Sequence, residues 1–200
     1  RPAGLQVVAR SLEFFVKQED IKRVEDFLSG HHIREDDFIV GINPGGNWGP
    51  KRWPRENFAA LADRIADIYR AKIIITGGGA DEALAREIGS RMKTKPVIAC
   101  GTLSLKQFAV LASISNLFIT ADSGPMHIAN AVSCRRIIAL FGPTDPALTG
   151  PFPPDRVTIV RKEIGCRLPC YKVDCADNRC MKAISVEDVV AAVRKVATPP

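Results

Sequence analysis

The sequence contains neither a long apolar run nor a recognisable targeting segment. None of its apolar stretches approaches the roughly 20 residues that a helix needs to cross a bilayer. The first residues lack the basic, then apolar, then small-residue pattern of a signal peptide. These absences argue against a transmembrane or exported class. We expect a cytoplasmic setting, unless a targeting segment has been removed from the chain.

Basic runs, internal repeats and low-complexity segments are also missing. Lys and Arg alternate with Asp and Glu, so the sequence has no arm of the kind that binds nucleic acids. The formal net charge of +6 suits an anionic partner, such as a phosphorylated sugar lipid or a membrane face, without choosing between them. We therefore expect no nucleic-acid partner.

From residue 38 onward, short runs rich in Ile and Val alternate with longer stretches of helical periodicity. This alternation predicts repeated βαβ units, that is, an α/β Rossmann-like fold with a parallel sheet and flanking helices. The central runs are apolar on consecutive residues, as expected when helices cover both faces of a sheet. The expected strands lie at 38–43, 72–76, 97–99, 117–120 and 137–141, with an edge strand at 156–160. The expected helices lie at 55–70, 81–91, 104–113 and 185–196, with a shorter one that begins near Gly124.

Residues 1–36 differ in pattern from the rest. Scattered apolar positions precede a charged helical stretch at 19–28, and we interpret this part as a connector and a helix. The remainder, 37–200, is expected to form one domain, because a chain of 200 residues that is 46% hydrophobic is large enough to bury one core. His31 and His32 have no cysteine or carboxylate at ligand spacing, and we interpret them as solvated loop residues.

Ligands of open parallel sheets bind beyond the carboxyl ends of the strands, so the loops that follow the strands are the candidates for a site. The first loop reads Asn-Pro-Gly-Gly-Asn at 43–47 and continues to Lys-Arg-Trp-Pro at 51–54. Glycines such as Gly45 let a ligand approach the backbone closely, and Lys51 can meet phosphate charge. A plain turn before a proline that opens the next helix explains this loop equally well.

The second loop reads Thr-Gly-Gly-Gly-Ala-Asp-Glu at 76–82 and includes Gly77 and Glu82. Its acidic residues favour the start of a helix. Its glycine spacing differs from that of the dinucleotide fingerprint G-x-G-x-x-G. No strand is followed by that fingerprint and by an acidic residue about 20 positions further on, which disfavours a Rossmann oxidoreductase.

The third loop reads Ala-Asp-Ser-Gly-Pro-Met-His-Ile-Ala-Asn at 121–130. Ser123 can cap the helix, Pro125 fits a first turn that needs no amide donor, and Gly124 leaves the helix start open to a ligand. Exposed amides and the positive end of the helix dipole predict an anion site suited to a diphosphate, with His127 one turn further in and facing the same ligand. A capped core helix with a satisfied histidine is the alternative.

Four motifs occur in order along the chain: Asn-Pro-Gly at 43–45, Lys-Arg-Trp-Pro at 51–54, Asp-Ser-Gly-Pro-Met-His at 122–127 and Phe-Gly-Pro-Thr-Asp-Pro at 141–146. Together they resemble glycosyltransferase family 9, the ADP-heptose:lipopolysaccharide heptosyltransferases. The third motif is the most specific, and the resemblance covers nearly the whole chain. It implies a GT-B fold, in which two Rossmann-like domains face each other across a cleft. The sequence resembles only the C-terminal domain, which holds the nucleotide sugar.

The resemblance also implies roles for the loop residues. Lys51 would neutralise donor phosphate, Asp122 and His127 would hold the sugar or the diphosphate, and the amides around Ser123 and Gly124 would cradle the leaving group. Glu82 would contact the adenosine ribose. The complete donor-binding set implied is Lys51, Asp122, Ser123, Gly124, His127, Gly45, Gly77 and Glu82. No metal and no cofactor is implied, because lysine and helix amides stabilise the departing diphosphate in such enzymes.

The implied reaction is an inverting transfer of a sugar, with ADP-heptose as donor and the lipopolysaccharide inner core as acceptor. An acceptor hydroxyl, activated by a carboxylate base, attacks the anomeric carbon while ADP leaves. The family's proposed base lies in the N-terminal domain, so we expect this chain alone to bind the donor without transferring sugar. The acceptor would be reached through that missing domain, and peripheral contact with the inner face of the inner membrane is left open. A non-catalytic nucleotide-sugar-binding domain of the same fold is the rival interpretation.

Four of the six cysteines, Cys166, Cys170, Cys175 and Cys180, lie within fifteen residues. A disulfide-stapled secreted scaffold has cysteines along its whole length instead. The spacing C-x3-C-x4-C-x4-C departs from the paired C-x2-C of common zinc sites. A metal centre, one or two disulfides and free thiols are all left open.

Overall fold

The computed structural model describes residues 12–46 and 48–198. Six parallel strands form one sheet in the order β3-β2-β1-β4-β5-β6. The strands are β1 Ile39–Asn43, β2 Lys72–Ile75, β3 Val97–Ile98, β4 Leu117–Ala121, β5 Ile137–Phe141 and β6 Val157–Arg161. The helices are α1 Gln18–Gly30, α2 Arg55–Tyr69, α3 Glu82–Arg91, α4 Leu105–Ile114, α5 Gly124–Ala131, α6 Pro146–Thr149, α7 Arg179–Lys182 and α8 Val186–Val196. Short 3-10 turns precede α2, at Gly49–Lys51, and α3, at Gly79–Asp81.

Helices cover both faces of the sheet. Successive strand residues point to opposite faces, so Val40 and Ile42 of β1 enter one core while Ile39 enters another. The helices α2, α3 and α8 contribute to the first core, and α1 and α4 to the second. The predicted α/β Rossmann-like fold with flanking helices is confirmed. No helix among the described residues is long and apolar enough to cross a membrane.

The amino-terminal part contributes to the helix layer. Residues 1–11 of the predicted connector lie outside the described residues. The helix α1 packs beside α4 and buries Val24, Phe27 and Leu28 against that face of the sheet. His31 and His32 follow it and are exposed to solvent. The part of the predicted connector that the structure describes is therefore joined to the sheet by apolar contacts.

The strand order reverses direction between β1 and β4. These two strands are neighbours, with Asn43 aligned to Thr120, although β2 and β3 lie between them in the chain. The connection from β1 leads towards one edge of the sheet, and the connection from β4 leads towards the other. A crevice opens at such a switch point beyond the carboxyl ends of the strands. The loops after β1, β2 and β4 therefore meet at one place.

Candidate functional site

A cavity of about 730 Å³ occupies this switch point. The loops after β1 and β4 contribute polar side chains, among them Asn43, Lys51 and Asp122, and the glycine-rich loop after β2 contributes backbone. The remaining wall is apolar and comes from the loop after β3 and from α4, with Leu103, Leu105 and Phe108. One cavity thus offers a charged end and an apolar end.

Lys51 and Asp122 form the ion pair at the charged end. The Lys51 Nζ donates to Asp122 Oδ2 at 2.7 Å and to the Asp122 carbonyl oxygen at 3.2 Å. The Asp122 side chain is only 4% exposed, whereas that of Lys51 is 22% exposed. The hydroxyl of Thr149 donates to the same Oδ2 at 3.0 Å. The carboxylate is therefore buried and doubly hydrogen-bonded, while the ammonium still reaches the cavity.

The motif around Lys51 divides its side chains between the core and the cavity. Trp53 is buried and donates its indole N–H to the carbonyl oxygen of Ile184 at 2.9 Å. The Arg52 guanidinium donates twice to the carbonyl oxygen of Gly46, at 2.8 and 3.0 Å. These bonds fix the loop on either side of Lys51. The Lys51 Nζ also lies 5.7 Å from the ring centre of Trp48, which lines the cavity.

The start of α5 faces the cavity, with Ser123, Gly124 and Pro125 in its wall. Ser123 stands at the N-cap position, but its hydroxyl donates to the carbonyl oxygen of Ala121 at 3.2 Å and accepts no helix amide. The prediction that Ser123 caps this helix with its side chain is wrong, because the hydroxyl turns back towards β4. Pro125 has no amide hydrogen, so Gly124 carries the amide that the first turn can offer to an anion.

Asp81, rather than Glu82, is the acidic residue of the second loop that lines the cavity. The Asp81 Oδ2 accepts the Gly78 amide at 3.0 Å. Glu82 points along the helix surface and pairs with Arg86 at 2.6 Å. The sequence prediction chose Glu82 and missed Asp81, although an acidic residue directly before a helix was the available signal.

Two predicted glycines make room for Asp81. A Cβ atom on Gly45 would lie 2.5 Å from Asp81 Oδ1, and one on Gly77 would lie 2.7 Å from the Asp81 Cβ. Gly77 also lines the cavity itself. Glycine at these two positions therefore serves partly to leave room for the Asp81 side chain.

Residues 4–180 match the profile of glycosyltransferase family 9 (heptosyltransferase). The chain belongs to this family. The resemblance carried by the four sequence motifs is thereby confirmed.

Relatives of this family 9 chain include named heptosyltransferases. Lipooligosaccharide heptosyltransferase 2 of Campylobacter jejuni is 32% identical over 168 residues, which are 80% of this chain and 52% of the relative. A glycosyl transferase family 9 structure from Veillonella parvula superimposes with a TM-score of 0.87 at 28% identity, over 96% of this chain and 56% of that one. An E. coli heptosyltransferase solved with ADP shares the fold, with a TM-score of 0.65 at 19% identity, over 87% of this chain and 48% of that one. The chain spans about half the length of these relatives.

His127 is not part of the cavity wall, although the family resemblance implies that it holds the donor. It is half-buried on α5, one turn after Gly124, and it is not among the described residues that form the cavity wall. Its role in donor binding stays a prediction.

Trp48 and Thr149 were not selected from the sequence, although Trp48 lines the cavity and Thr149 contacts Asp122. Asn47 of the first loop lies outside the described residues.

The family 9 chain holds all six cysteines as free thiols. The clustered four line a second cavity of about 510 Å³, beyond the ends of β5 and β6. In the described residues, no three His, Cys, Asp or Glu side chains are grouped so that they could hold a metal ion. Cys100 and Cys134 are buried elsewhere, and burial raises the pKa of each thiol to about 11.

Proposed function

We propose that this chain forms the donor-binding side of a heptosyltransferase that transfers sugar from ADP-heptose to a lipopolysaccharide core. The observation that carries the proposal is the placement of Lys51 beside the start of α5, at the charged end of the switch-point cavity. A cation and a helix N-terminus together form a binding site for a diphosphate.

The two ends of the cavity suit the two ends of an ADP-sugar. The diphosphate would lie between the Lys51 ammonium and the Gly124 amide. The adenine would enter the apolar end, where Leu103, Leu105 and Phe108 offer a surface for a flat ring. The ribose would then pass the glycine-rich loop, where the Asp81 carboxylate can accept hydrogen bonds from the ribose hydroxyls.

The same contacts support the departure of ADP. Negative charge grows on the diphosphate as its bond to the sugar breaks, and a lysine and a helix amide that are already in place stabilise this charge without rearrangement. In this proposal, Lys51 and the Gly124 amide stabilise the departing ADP without a metal ion. Attack by the acceptor hydroxyl with inversion, and the base that activates it, are part of the proposal and are assigned to no residue of this chain.

The comparisons favour this proposal over a non-catalytic domain of the same fold. The Campylobacter relative is named as a lipooligosaccharide heptosyltransferase, and the E. coli structure with the same fold was solved with ADP. An adenosine diphosphate donor is therefore the first ligand to test.

The test is calorimetric titration of the chain with ADP, ADP-heptose, UDP-glucose and NAD. We expect saturable binding of the two adenosine diphosphate ligands. Lys51→Ala should weaken it about tenfold or more, because a hydrogen bond to a charged group contributes about 1.5 to 3 kcal/mol. His127→Ala should weaken it as well, if the family role of this residue applies here.

Lys195→Ala is the matched control, because Lys195 is exposed on α8 and does not line the cavity. It should bind ADP as the unaltered chain does. Binding of NAD alone, or of no nucleotide, would overturn the proposed donor site. Equal loss of ADP affinity in the Lys51 and Lys195 variants would show that binding depends only on the net charge of the chain.

A further inference from the structure

Thr149 is the last residue of α6, the single helical turn that follows the Phe-Gly-Pro-Thr-Asp-Pro motif. Asp145 caps this turn, since its Oδ1 accepts the Ala147 amide at 3.0 Å. The Asp145 carbonyl oxygen accepts the Thr149 amide, also at 3.0 Å. These bonds fix the backbone of Thr149 and thereby aim its side chain.

The Thr149 hydroxyl has two acceptors within reach and one proton to donate. The Asp122 Oδ2 lies at 3.0 Å and the Asp145 carbonyl oxygen at 3.3 Å. A carboxylate is the stronger acceptor, and it is also the nearer one. The hydroxyl therefore donates to Asp122, on the oxygen that also receives Lys51.

A diphosphate in the cavity would compete with Asp122 for the Lys51 ammonium. When Lys51 turns towards the diphosphate, its hold on the carboxylate weakens. A carboxylate that is only 4% exposed is costly to leave without donors. The Thr149 hydroxyl does not line the cavity wall and would stay in place while Lys51 moves.

We propose that Thr149 is a positioning residue of the donor site, which holds the Asp122 carboxylate when Lys51 engages the donor diphosphate. The inference rests on the proposed function, because it requires a diphosphate ligand. It assigns a role to the helical turn that follows the fourth motif, which contacts the cavity residue Asp122 through this hydroxyl. A threonine that merely bonds the carbonyl four residues earlier would have no such effect on ligand affinity.

The experiment measures the dissociation constants of ADP and ADP-heptose by calorimetry for Thr149→Val and Thr149→Ser. Valine keeps the shape and loses the hydroxyl, so we expect about fivefold to tenfold weaker binding, the size of one lost hydrogen bond. Serine keeps the hydroxyl and should stay within about twofold of the unaltered chain. Thermal unfolding without ligand should change little in either variant, because Lys51 still pairs with Asp122.

The same substitutions in an Asp122→Asn background separate positioning from general damage. Without the carboxylate, Thr149→Val should add less than about twofold to the loss, since coupled residues are not additive. Thr149→Ala provides a second test if the valine variant fails to fold.

Two results would overturn the inference and leave the donor site intact: unchanged affinity in Thr149→Val, or an equal loss with and without Asp122. With either result, the unaltered chain would still bind ADP. A chain that binds no nucleotide at all would overturn the donor site and the role of Thr149 together.

Discussion

The Lys51 ammonium lies 2.7 Å from the Asp122 carboxylate, although 71 positions separate the two residues in the sequence. The contact exists because β1 and β4 are neighbours in the sheet. The carboxylate is almost completely buried, so its stability depends on the donors around it. Replacing one partner should therefore cost more than replacing both.

Lys51→Met should lower the free energy of unfolding by about 1 to 3 kcal/mol, because it removes the main donor to a buried carboxylate. The double variant with Asp122→Asn should recover part of this loss, since a neutral amide is less costly to bury without a cation. Urea unfolding of the two single variants and the double variant measures the coupling. Strictly additive losses would mean that the pair does not stabilise the fold.

Asp81→Asn should weaken ADP binding, whereas Glu82→Gln should leave it nearly unchanged. Only the Asp81 side chain lines the cavity, and Glu82 pairs with Arg86 on the surface. We expect a loss of about tenfold for Asp81→Asn, from one charged hydrogen bond to the ribose. Calorimetry with ADP and with free pyrophosphate provides the comparison, because pyrophosphate has no ribose and its affinity should not fall. The reverse order of the two variants would restore Glu82 as the ribose ligand.

Gly45→Ala should displace Asp81 and lower both stability and ADP affinity. The added methyl group would lie 2.5 Å from Asp81 Oδ1, so the carboxylate or the loop must move. Overpacking of this kind costs about 1 to 3 kcal/mol. Gly49→Ala is the control, because a Cβ atom there meets no described atom within 4 Å. Thermal unfolding and ADP titration of both variants test the difference, and equal effects would contradict a specific contact with Asp81.

Asp188 should stabilise the fold at neutral pH and lose this effect in acid. Its hydrogen bonds with Lys162, and then with Ser185, lower the pKa of the carboxyl to about 2. A pKa that is lower in the folded than in the unfolded chain gives stability above the unfolded pKa of about 3.9. That stability is lost as the pH falls towards 2.

The measurement compares the unaltered chain with Asp188→Asn in urea at several pH values. We expect a difference of about 1 kcal/mol at pH 7, after allowance for the solvent that screens this surface pair. The difference should shrink between about pH 4 and pH 2, where the carboxyl becomes protonated. Glu187→Gln is the neighbouring control, and its side chain is 72% exposed. A difference that persisted unchanged at pH 2 would exclude the carboxylate as its source.

The alternation of apolar runs and helical stretches was sufficient to predict the sheet and most of the helices. The strand predicted at 117–120 is observed as Leu117–Ala121, and the edge strand predicted at 156–160 as Val157–Arg161. Lys51 could be selected because a lysine in a glycine-rich loop is a local signal, whereas Asp122 was selected through the family resemblance. Their direct contact could not be predicted, because it depends on which strands are neighbours in the sheet.

The remaining differences between the prediction and the structure have causes that residue propensity does not reveal. The 3-10 turn at Gly79–Asp81 places Asp81, and not Glu82, at the cavity. Adjacent helix positions point about 100° apart, so an error of one residue changes the side of the helix. Ser123 was a reasonable cap by residue type, but its extended backbone directs the hydroxyl towards β4. Thr149 gave no signal, because its partner is 27 positions away in the sequence.

The reversal of strand order at β1 and β4 separates two kinds of change in this protein. Everything from α2 to α4 is an excursion that starts at one strand and returns beside it. Lengthening a surface turn within that excursion would leave the distance between Lys51 and Asp122 unaltered. A slip of one residue between Asn43 and Thr120 would separate the two loops and move side chains from the core on one face of the sheet to the core on the other. The site therefore tolerates insertions in the chain that separates its two halves, but not a shift in the pairing that joins them.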